Sequence, residues 1–179
     1  EHGNEQKVWL VNRLDSPTSG VILISLNAEV ADLVKQTFQT HKVTKNYHAV
    51  VRHQSGKQAG VWVDMITKDL LRNGQTINKG REIKAKSSFK VVRKLVGDLP
   101  VALLRLTPVT GRTHQLRIQC MKHGYPILGD RSYGDFAFNK EIAHQTGQKR
   151  LMLHASEIKL TYLYRGMSRI FHAESALPQ

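Results

Sequence analysis

The segment SFKVVRKLVGDLPVALLRLTPV, residues 88–109, is the strongest indication of the fold. Its two halves, Ser88 to Leu95 and Val101 to Val109, are rich in β-branched and aliphatic residues, which favour strands. The Gly-Asp-Leu-Pro connection between them has the composition of a hairpin loop. Two more runs of strand length occur at residues 46–53 and 60–66, so the middle of the chain is predicted to be rich in β-strands.

Helices are predicted on both sides of this β-rich region. Asn27 can cap a helix that continues to about Gln39, because apolar residues recur there at helical spacing. A second helix is predicted to begin with Thr113 as its N-cap and to end at His123, where Gly124 suits the left-handed C-terminal position. The remaining predictions are strands at residues 7–11 and 21–26, an Asn-Gly turn at 73–74, a loop at 126–133, a short helix at 140–144, and strands at 151–164 and 167–172.

Strand runs outnumber helices and do not alternate with them regularly. This order favours an α+β fold with a mixed, mostly antiparallel β-sheet core and flanking helices. A chain of 179 residues fits one core and no linker composition interrupts it, so residues 1–179 are predicted to form a single domain. The longest unbroken aliphatic run, Val21 to Ile24, is far too short to cross a bilayer, so a membrane protein is not expected.

The chain is strongly basic, with 27 Lys and Arg against 14 Asp and Glu and a formal net charge of +13. This charge favours a polyanionic partner, because phosphate backbones release counterions when they bind such a surface. A basic protein without such a partner is the alternative. The single Cys120 excludes an internal disulfide and favours the cell interior, and the nine His show no recognised ligand spacing. No metal site is therefore expected.

Asp15 lies in a turn-rich segment between the two predicted strands near the start of the chain. Its carboxylate would be held on a constrained loop between two buried strands, where rigid scaffolds often present functional groups. On the local pattern alone, however, an Asp in a loop is more often a turn former whose oxygens bond to nearby N–H groups.

A second segment, Gly111-Arg112-Thr113-His114-Gln115-Leu116-Arg117, concentrates hydrogen-bond donors at a predicted helix start. Helix N-termini attract anions, and Arg side chains bind carboxylate or phosphate with two parallel hydrogen bonds. If the segment is helical, His114 and Arg117 lie on neighbouring positions of one face. A solvated basic turn fits the local pattern equally well.

Five segments in this order resemble the motifs of RluA-type pseudouridine synthases. Asn12–Gly20 is similar to the family's His-Arg-Leu-Asp-x-x-Thr-Ser-Gly, and Gly111–Arg117 to its Gly-Arg-Thr-His-Gln-Leu/Ile-Arg. Lys45–Tyr47, Gly124–Asp130 and Leu153–Ala155 resemble its Lys-x-Tyr strand, its Gly-x-Pro-Ile-x-Gly-Asp loop and its late Leu-His-Ala strand. Five ordered matches are difficult to obtain by chance, so the chain is identified as a member of this family, with a pseudouridine synthase-like fold.

The resemblance implies isomerisation of uridine to pseudouridine in ribosomal or transfer RNA, with a slight preference for ribosomal RNA from the breadth of the family. The glycosidic bond breaks, the base turns, and C5 rejoins the ribose. No cofactor is expected. A target uridine inside a folded RNA would have to flip out of its stack into a pocket beside Asp15.

The family motifs also imply roles for particular residues. Asp15 would be the catalytic nucleophile, which either adds to the sugar or promotes elimination to a glycal. Arg117 would be its ionic partner and keep it ionised, while Tyr47 would stack on the base and is a candidate for removing the C5 proton. Substrate-binding roles, through the target nucleotide and its phosphates, are predicted for Arg13, Arg112 and His114.

Two differences from the family pattern matter. Asn12 stands where His is commoner, although this position is not the nucleophile. The chain also begins a few residues before the motif, whereas the family's catalytic domain usually supplies an upstream strand with a Lys-Pro motif. The chain is therefore expected to lack its N-terminal part and to leave one sheet edge exposed.

Two other classes of function stay open at this point. A non-catalytic basic RNA-binding module, or a degenerate synthase, would carry the same charge, although binding alone does not require Asp15, Tyr47 and Arg117 together. A hydrolase that uses Asp15 would need a second acid or a metal cluster, and the sequence offers neither. The expected setting is a cytoplasmic monomer that binds RNA, although the sequence leaves the oligomeric state open.

Overall fold

The strand runs of the middle of the chain lie side by side in one sheet of seven strands. The computed structural model describes residues 6–53, 56–67, 70–72, 75–78, 81–95 and 99–178, and for 70–72 and 75–78 it describes the backbone alone. In chain order the elements are β1 (Trp9–Leu10), β2 (Ser19–Gly20), β3 (Ile24–Ser25), α1 (Ala28–Gln39), β4 (Val43–Arg52), β5 (Ala59–Thr67), β6 (Leu70–Arg72), β7 (Gln75–Asn78), β8 (Glu82–Lys94), β9 (Val101–Pro108), α2 (Gln115–Lys122), α3 (Phe136–Thr146), β10 (Leu153–Tyr164) and β11 (Met167–Glu174).

The main sheet follows the order β11-β10-β4-β9-β8-β5, and each neighbouring pair along it is antiparallel. β2 lies beside β10 in the parallel direction. The prediction of an α+β fold with a mixed, mostly antiparallel sheet is therefore confirmed. The two halves of residues 88–109 form the β8–β9 ladder as predicted. The predicted turn at 73–74 and residues 97–98 of the hairpin connection lie outside the described residues.

Each helix closes one part of the hydrophobic core. Leu116 and Cys120 of α2 belong to the same buried cluster as Leu104 and Leu106 of the central strand β9. Val34 of α1 joins a second cluster with residues of β4 and β10, and α3 supplies Phe138 and Ile142 to a third. In the part of the chain that the structure describes, no helix is both long and apolar enough to span a membrane.

The starts of the first two helices match the predictions to different degrees. α1 begins after Asn27, whose side chain accepts a backbone hydrogen bond as a cap, as predicted. The N-cap prediction for α2 is wrong, because the cap is His114 in the left-handed conformation, with a φ of 53°. Thr113 lies one residue earlier. The side chain of Gln115 accepts a hydrogen bond from the Arg112 N–H at 3.0 Å, and so closes the turn without a threonine cap.

A glycine follows the end of α2, and an aspartate caps the start of α3. Gly124 adopts the left-handed conformation after α2, with a φ of 78°, as predicted. α3 spans Phe136–Thr146 and is longer than the predicted helix at residues 140–144. Its early start follows from Asp135, whose side chain accepts a hydrogen bond from the Phe138 N–H.

The segment that carries Asp15 is anchored to the main sheet through β2. The strands predicted at residues 7–11 and 21–26 shrink to the two-residue strands β1 and β3, which pair with each other outside the main sheet. The expectation that both runs are buried is wrong, since Leu23 is their only buried residue. At Gly20 the φ is 118°, and an added Cβ would lie 2.1 Å from the carbonyl oxygen of Ala155. Only glycine allows this close approach to β10.

Candidate active site

All six residues that the sequence predicts for the site line one cavity. It has a volume of about 270 Å³ and lies where the Asp15 loop, β4 and the start of α2 meet. The predicted residues in its wall are Asp15, Tyr47, Arg117, Arg13, Arg112 and His114. Such a volume is just below the roughly 300–1,000 Å³ of pockets that hold drug-sized ligands, and so suits a group of about nucleoside size.

The loop around Asp15 is held by hydrogen bonds that leave its carboxylate open. The Asp15 carbonyl oxygen accepts from the Thr18 N–H at 2.8 Å, which closes a turn. Asn12, at the position where the family motif usually has His, accepts the Leu23 N–H on its side-chain oxygen at 2.6 Å. Within the described part of the chain no N–H group donates to the Asp15 carboxylate. The turn-forming role considered for this side chain is therefore not what the structure shows.

Among the residues that the structure describes, the cation that pairs with this carboxylate is Arg117, in the first turn of α2. Its Nη1 atom lies 3.7 Å from Oδ2 of Asp15, and its side chain is 5% exposed against 27% for Asp15. The distance makes this an ion pair that is too long for a direct hydrogen bond. The pair joins two residues about a hundred positions apart in the sequence.

Arg117 has a second and closer partner, Asp130. The Nε and Nη2 atoms of Arg117 donate to the two carboxylate oxygens of Asp130 at 2.7 and 2.8 Å. Burial by itself would raise the pKa of Asp130, but hydrogen bonds from Arg117 and from the backbone N–H groups of Tyr133 and Ser132 outweigh it and lower this pKa. Asp130 ends the Gly124–Asp130 motif, but no role was predicted for it from the sequence.

Tyr47 extends from β4 into the same cavity. Burial, together with the negative charge of Asp15, raises the pKa of Tyr47 to about 12. At pH 7 about one molecule in 10⁵ would therefore carry the phenolate. The ring presents a neutral, aromatic surface next to the carboxylate, which is suited to stacking on a base.

The three predicted substrate-binding residues lie around the rim of the cavity. Arg13 and Arg112 are exposed, and the Nε atom of Arg112 points to the carbonyl oxygen of Lys84 at 3.5 Å. His114 is half-buried, with its Nδ1 atom 3.1 Å from the hydroxyl of Tyr133. The rim therefore carries the exposed guanidinium groups of Arg13 and Arg112.

Two further polar groups in the cavity had no predicted role. The ammonium group of Lys45 is half-buried, and no acidic side chain of the described residues pairs with it, while burial lowers its pKa. The Thr18 hydroxyl is buried and has no hydrogen-bond partner within the described ranges. Both residues lie inside family-like motifs, but only the fold shows that they face the cavity.

One cluster of possible metal ligands lies elsewhere, on β10 and β11. Glu157, His172 and Glu174 bring their ligand atoms within 4.8 Å of one another. The Nε2 atom of His172 already lies 3.1 and 3.2 Å from the two carboxylates, and Arg105 lies 3.5 Å from Glu157. These contacts describe a surface ion-pair network, in which a neighbouring guanidinium would oppose the binding of a cation.

The chain is similar to known proteins along most of its length. A family model described as RNA pseudouridylate synthase matches residues 1–122. The chain is 34% identical to tRNA pseudouridine synthase C of Pectobacterium carotovorum over 97% of its own length and 48% of the relative's. It is 36% identical to the protein of the same name from Haemophilus ducreyi, over 88% and 68% of the two lengths. The chain thus spans about half of one of these relatives and about two thirds of the other.

The fold is also found in solved structures. Human RNA pseudouridylate synthase domain containing 4 superimposes with a TM-score of 0.76 and 26% sequence identity, over 99% of this chain and 75% of the human one. The family match, the relatives and this structural similarity agree with the order of the five sequence motifs. The chain belongs to the RNA pseudouridylate synthase family of isomerases.

Proposed function

We propose that the protein isomerises uridine to pseudouridine in transfer RNA, with Asp15 as its catalytic nucleophile. The observation that carries this proposal is the ion pair of Asp15 and Arg117, 3.7 Å apart in a cavity of about nucleoside size. The carboxylate has no donor from its own loop and faces a cation. Its oxygens are therefore free to act on a sugar.

The reaction balances without a co-reactant. Asp15 either attacks C1′ of the ribose or promotes loss of a ribose proton to give a glycal, and in both routes the bond between N1 and C1′ breaks. The base then turns and C5 bonds to C1′. In the first route this step breaks the bond between Asp15 and C1′, and in the second C2′ regains the proton it lost. Finally the C5 proton leaves and N1 gains a proton. Arg117, 3.7 Å away, would orient Asp15 for the first of these steps.

Tyr47 is best suited to hold the base. Its neutral ring can stack on the flipped uracil, whichever route Asp15 follows. Removal of the C5 proton by Tyr47 requires the phenolate, which is rare in the free protein. Burial is the larger cause of its raised pKa, and the charge of Asp15 is the smaller one. Asp15 is again unbound when the C5 proton leaves, because C5 has by then taken its place at C1′. Stacking on the base is therefore the role proposed for Tyr47.

The basic residues of the rim would contact the RNA backbone. Arg13, Arg112 and His114 surround the cavity entrance, and Lys45 offers an additional ammonium group inside it. Phosphate contacts of this kind position the RNA but do not read its sequence. The choice of transfer RNA over ribosomal RNA rests on the names of the relatives, and it replaces the slight preference for ribosomal RNA drawn from the sequence.

We also propose that residues 1–179 act as one domain and as a monomer in the cytoplasm. The unbroken path of the main sheet from β11 to β5 supports the single domain. A non-catalytic RNA-binding module remains the alternative function, because it would use the same basic rim.

The proposal is tested by following tritium release from RNA that carries uridine tritiated at C5. We expect release from transfer RNA, no release above background for Asp15→Asn, and normal release for Asp32→Asn. Asp32 is a matched control, since its carboxylate lies on α1 and is 72% exposed. Binding of RNA without release from any cellular RNA would support the binding-module alternative. Release from ribosomal RNA alone would overturn the choice of substrate but not the chemistry.

A further inference from the structure

Asp130 is a fully buried carboxylate next to the cavity that the proposed reaction does not use. Its side chain is 1% exposed and pairs with Arg117 through nitrogens other than the one that faces Asp15. Buried carboxylates need strong hydrogen bonds to stay charged. Asp130 has them, and they connect it to the ion pair proposed to act on the sugar.

The loop between α2 and α3 fixes the position of this carboxylate. Its Oδ1 atom accepts the backbone N–H groups of Ser132 and Tyr133 at 2.8 and 3.0 Å. The backbone carbonyl of Asp130 accepts a hydrogen bond from the side-chain N–H of Asn139 at 3.1 Å. The side-chain oxygen of Asn139 in turn accepts a hydrogen bond from the Gly129 N–H. The carboxylate is therefore oriented by its own backbone and does not depend on Arg117 for its place.

This fixed carboxylate determines which way Arg117 points. A guanidinium has five N–H groups in a rigid plane, and Asp130 accepts from Nε and from one N–H of Nη2. Tyr133 packs on the plane, with the guanidinium carbon 5.1 Å from the centre of its ring. Once these contacts are made the plane cannot rotate, and Nη1 faces Asp15.

We propose that Asp130 is a positioning residue for the pseudouridine synthase reaction, which holds Arg117 so that its Nη1 atom faces Asp15 without closing on it. The inference rests on the proposed function. Without Asp130, the flexible arginine would be free to form two direct hydrogen bonds with Asp15 and occupy the oxygens that must reach the ribose. Asp130 therefore keeps the nucleophile beside a cation and leaves its oxygens free.

The test is a double-mutant cycle of Asp130→Asn and Arg117→Lys, with kcat and KM measured by tritium release. Asparagine keeps the oxygen that accepts the loop N–H groups but places an amide or a neutral oxygen against Arg117. We expect Asp130→Asn to lower kcat by about 100-fold, the loss that a displacement of about 1 Å can cause, and to leave KM within about threefold. In the Arg117→Lys background the same substitution should cause less than about a threefold further loss, because both act through one contact.

Two controls separate positioning from folding. Asp135 lies on the same loop, caps α3 and pairs with Arg52 outside the cavity, so Asp135→Asn should lower thermal stability and leave kcat unchanged. If Asp130→Asn does not fold, Asp130→Glu enters the same cycle, since it keeps the charge and shifts the guanidinium. Losses that multiply in the cycle, or a wild-type kcat in a folded Asp130 variant, would overturn the inference. If the inference about Asp130 fails but Asp15→Asn is inactive in the tritium-release test, the proposed function still stands. An inactive wild type overturns both the proposed function and the inference about Asp130.

Discussion

Replacing Arg117 by methionine is expected to destabilise the fold at neutral pH, and to do so less at acidic pH. The guanidinium of Arg117 is 5% exposed and makes two hydrogen bonds to Asp130, which is 1% exposed. Methionine fills much of the same volume but has no donor, so the Asp130 carboxylate would keep only its two backbone N–H partners. Removing one partner of a buried ion pair costs about 3–5 kcal/mol of unfolding free energy.

The pH dependence follows from the pKa of Asp130. In the wild type this pKa lies below its ordinary value of 3.8, so the stabilisation from Asp130 is present above that value and is lost as the pH falls through the lowered pKa. In the variant, burial is no longer outweighed by Arg117 and would raise the pKa. Protonation then removes an unpaired buried charge. The stability deficit of Arg117→Met should therefore shrink from about pH 7 to about pH 5.

The measurement is urea and thermal unfolding followed by circular dichroism at both pH values. For a domain of this size about 2–4 °C of Tm accompanies each kcal/mol, so a decrease of about 6–20 °C is expected near neutral pH. Arg105→Met is the matched control, because Arg105 is 49% exposed and lies 3.5 Å from Glu157, and it should lose less than about 1 kcal/mol. A loss below about 1 kcal/mol for Arg117→Met, or one that is equal at both pH values, would refute the reasoning.

Three further predictions concern the anchoring of the Asp15 loop, the contact with phosphate and the stacking on the base. Gly20→Ala should lose at least about 1–3 kcal/mol of stability and most of its activity, because the new Cβ meets backbone at 2.1 Å. Gly147→Ala shares the strain of a positive φ but has open space for its Cβ, so it should be less destabilised and remain active. Equal unfolding curves and turnover for the two would contradict this. Lys45→Met should reduce the slope of log affinity for RNA against log salt by about 1, as filter binding would show, while exposed Lys42→Met should change it less. Tyr47→Ala should raise KM by the equivalent of about 1–3 kcal/mol, whereas Tyr47→Phe should leave KM nearly unchanged, because a neutral ring does the stacking. A similar rise in both variants would exclude stacking as the main contribution of Tyr47 to substrate binding.

Much of the local structure could be predicted because it depends on neighbouring residues. The Asn27 cap, the helix that follows it and the two strands of residues 88–109 are found where capping preference and hydrophobic pattern predict them. The misplaced start of α2 has a local cause of another kind. Thr113 is a good cap by preference, but the Gln115 N–H, which a cap at Thr113 could accept, donates to the backbone carbonyl of Arg112.

Motif order in the sequence was enough to identify the family and to select six residues that line one cavity. What only the tertiary structure decided is how the charges pair inside it. Arg117 binds Asp130 closely and Asp15 at a distance, although both carboxylates were present in the motifs. A guanidinium donates to whichever carboxylate the surrounding backbone holds in its plane, and that depends on where separate segments meet. Residue type and spacing along the chain carry no information about that meeting point, so the role proposed for Asp130 could emerge only from the folded chain.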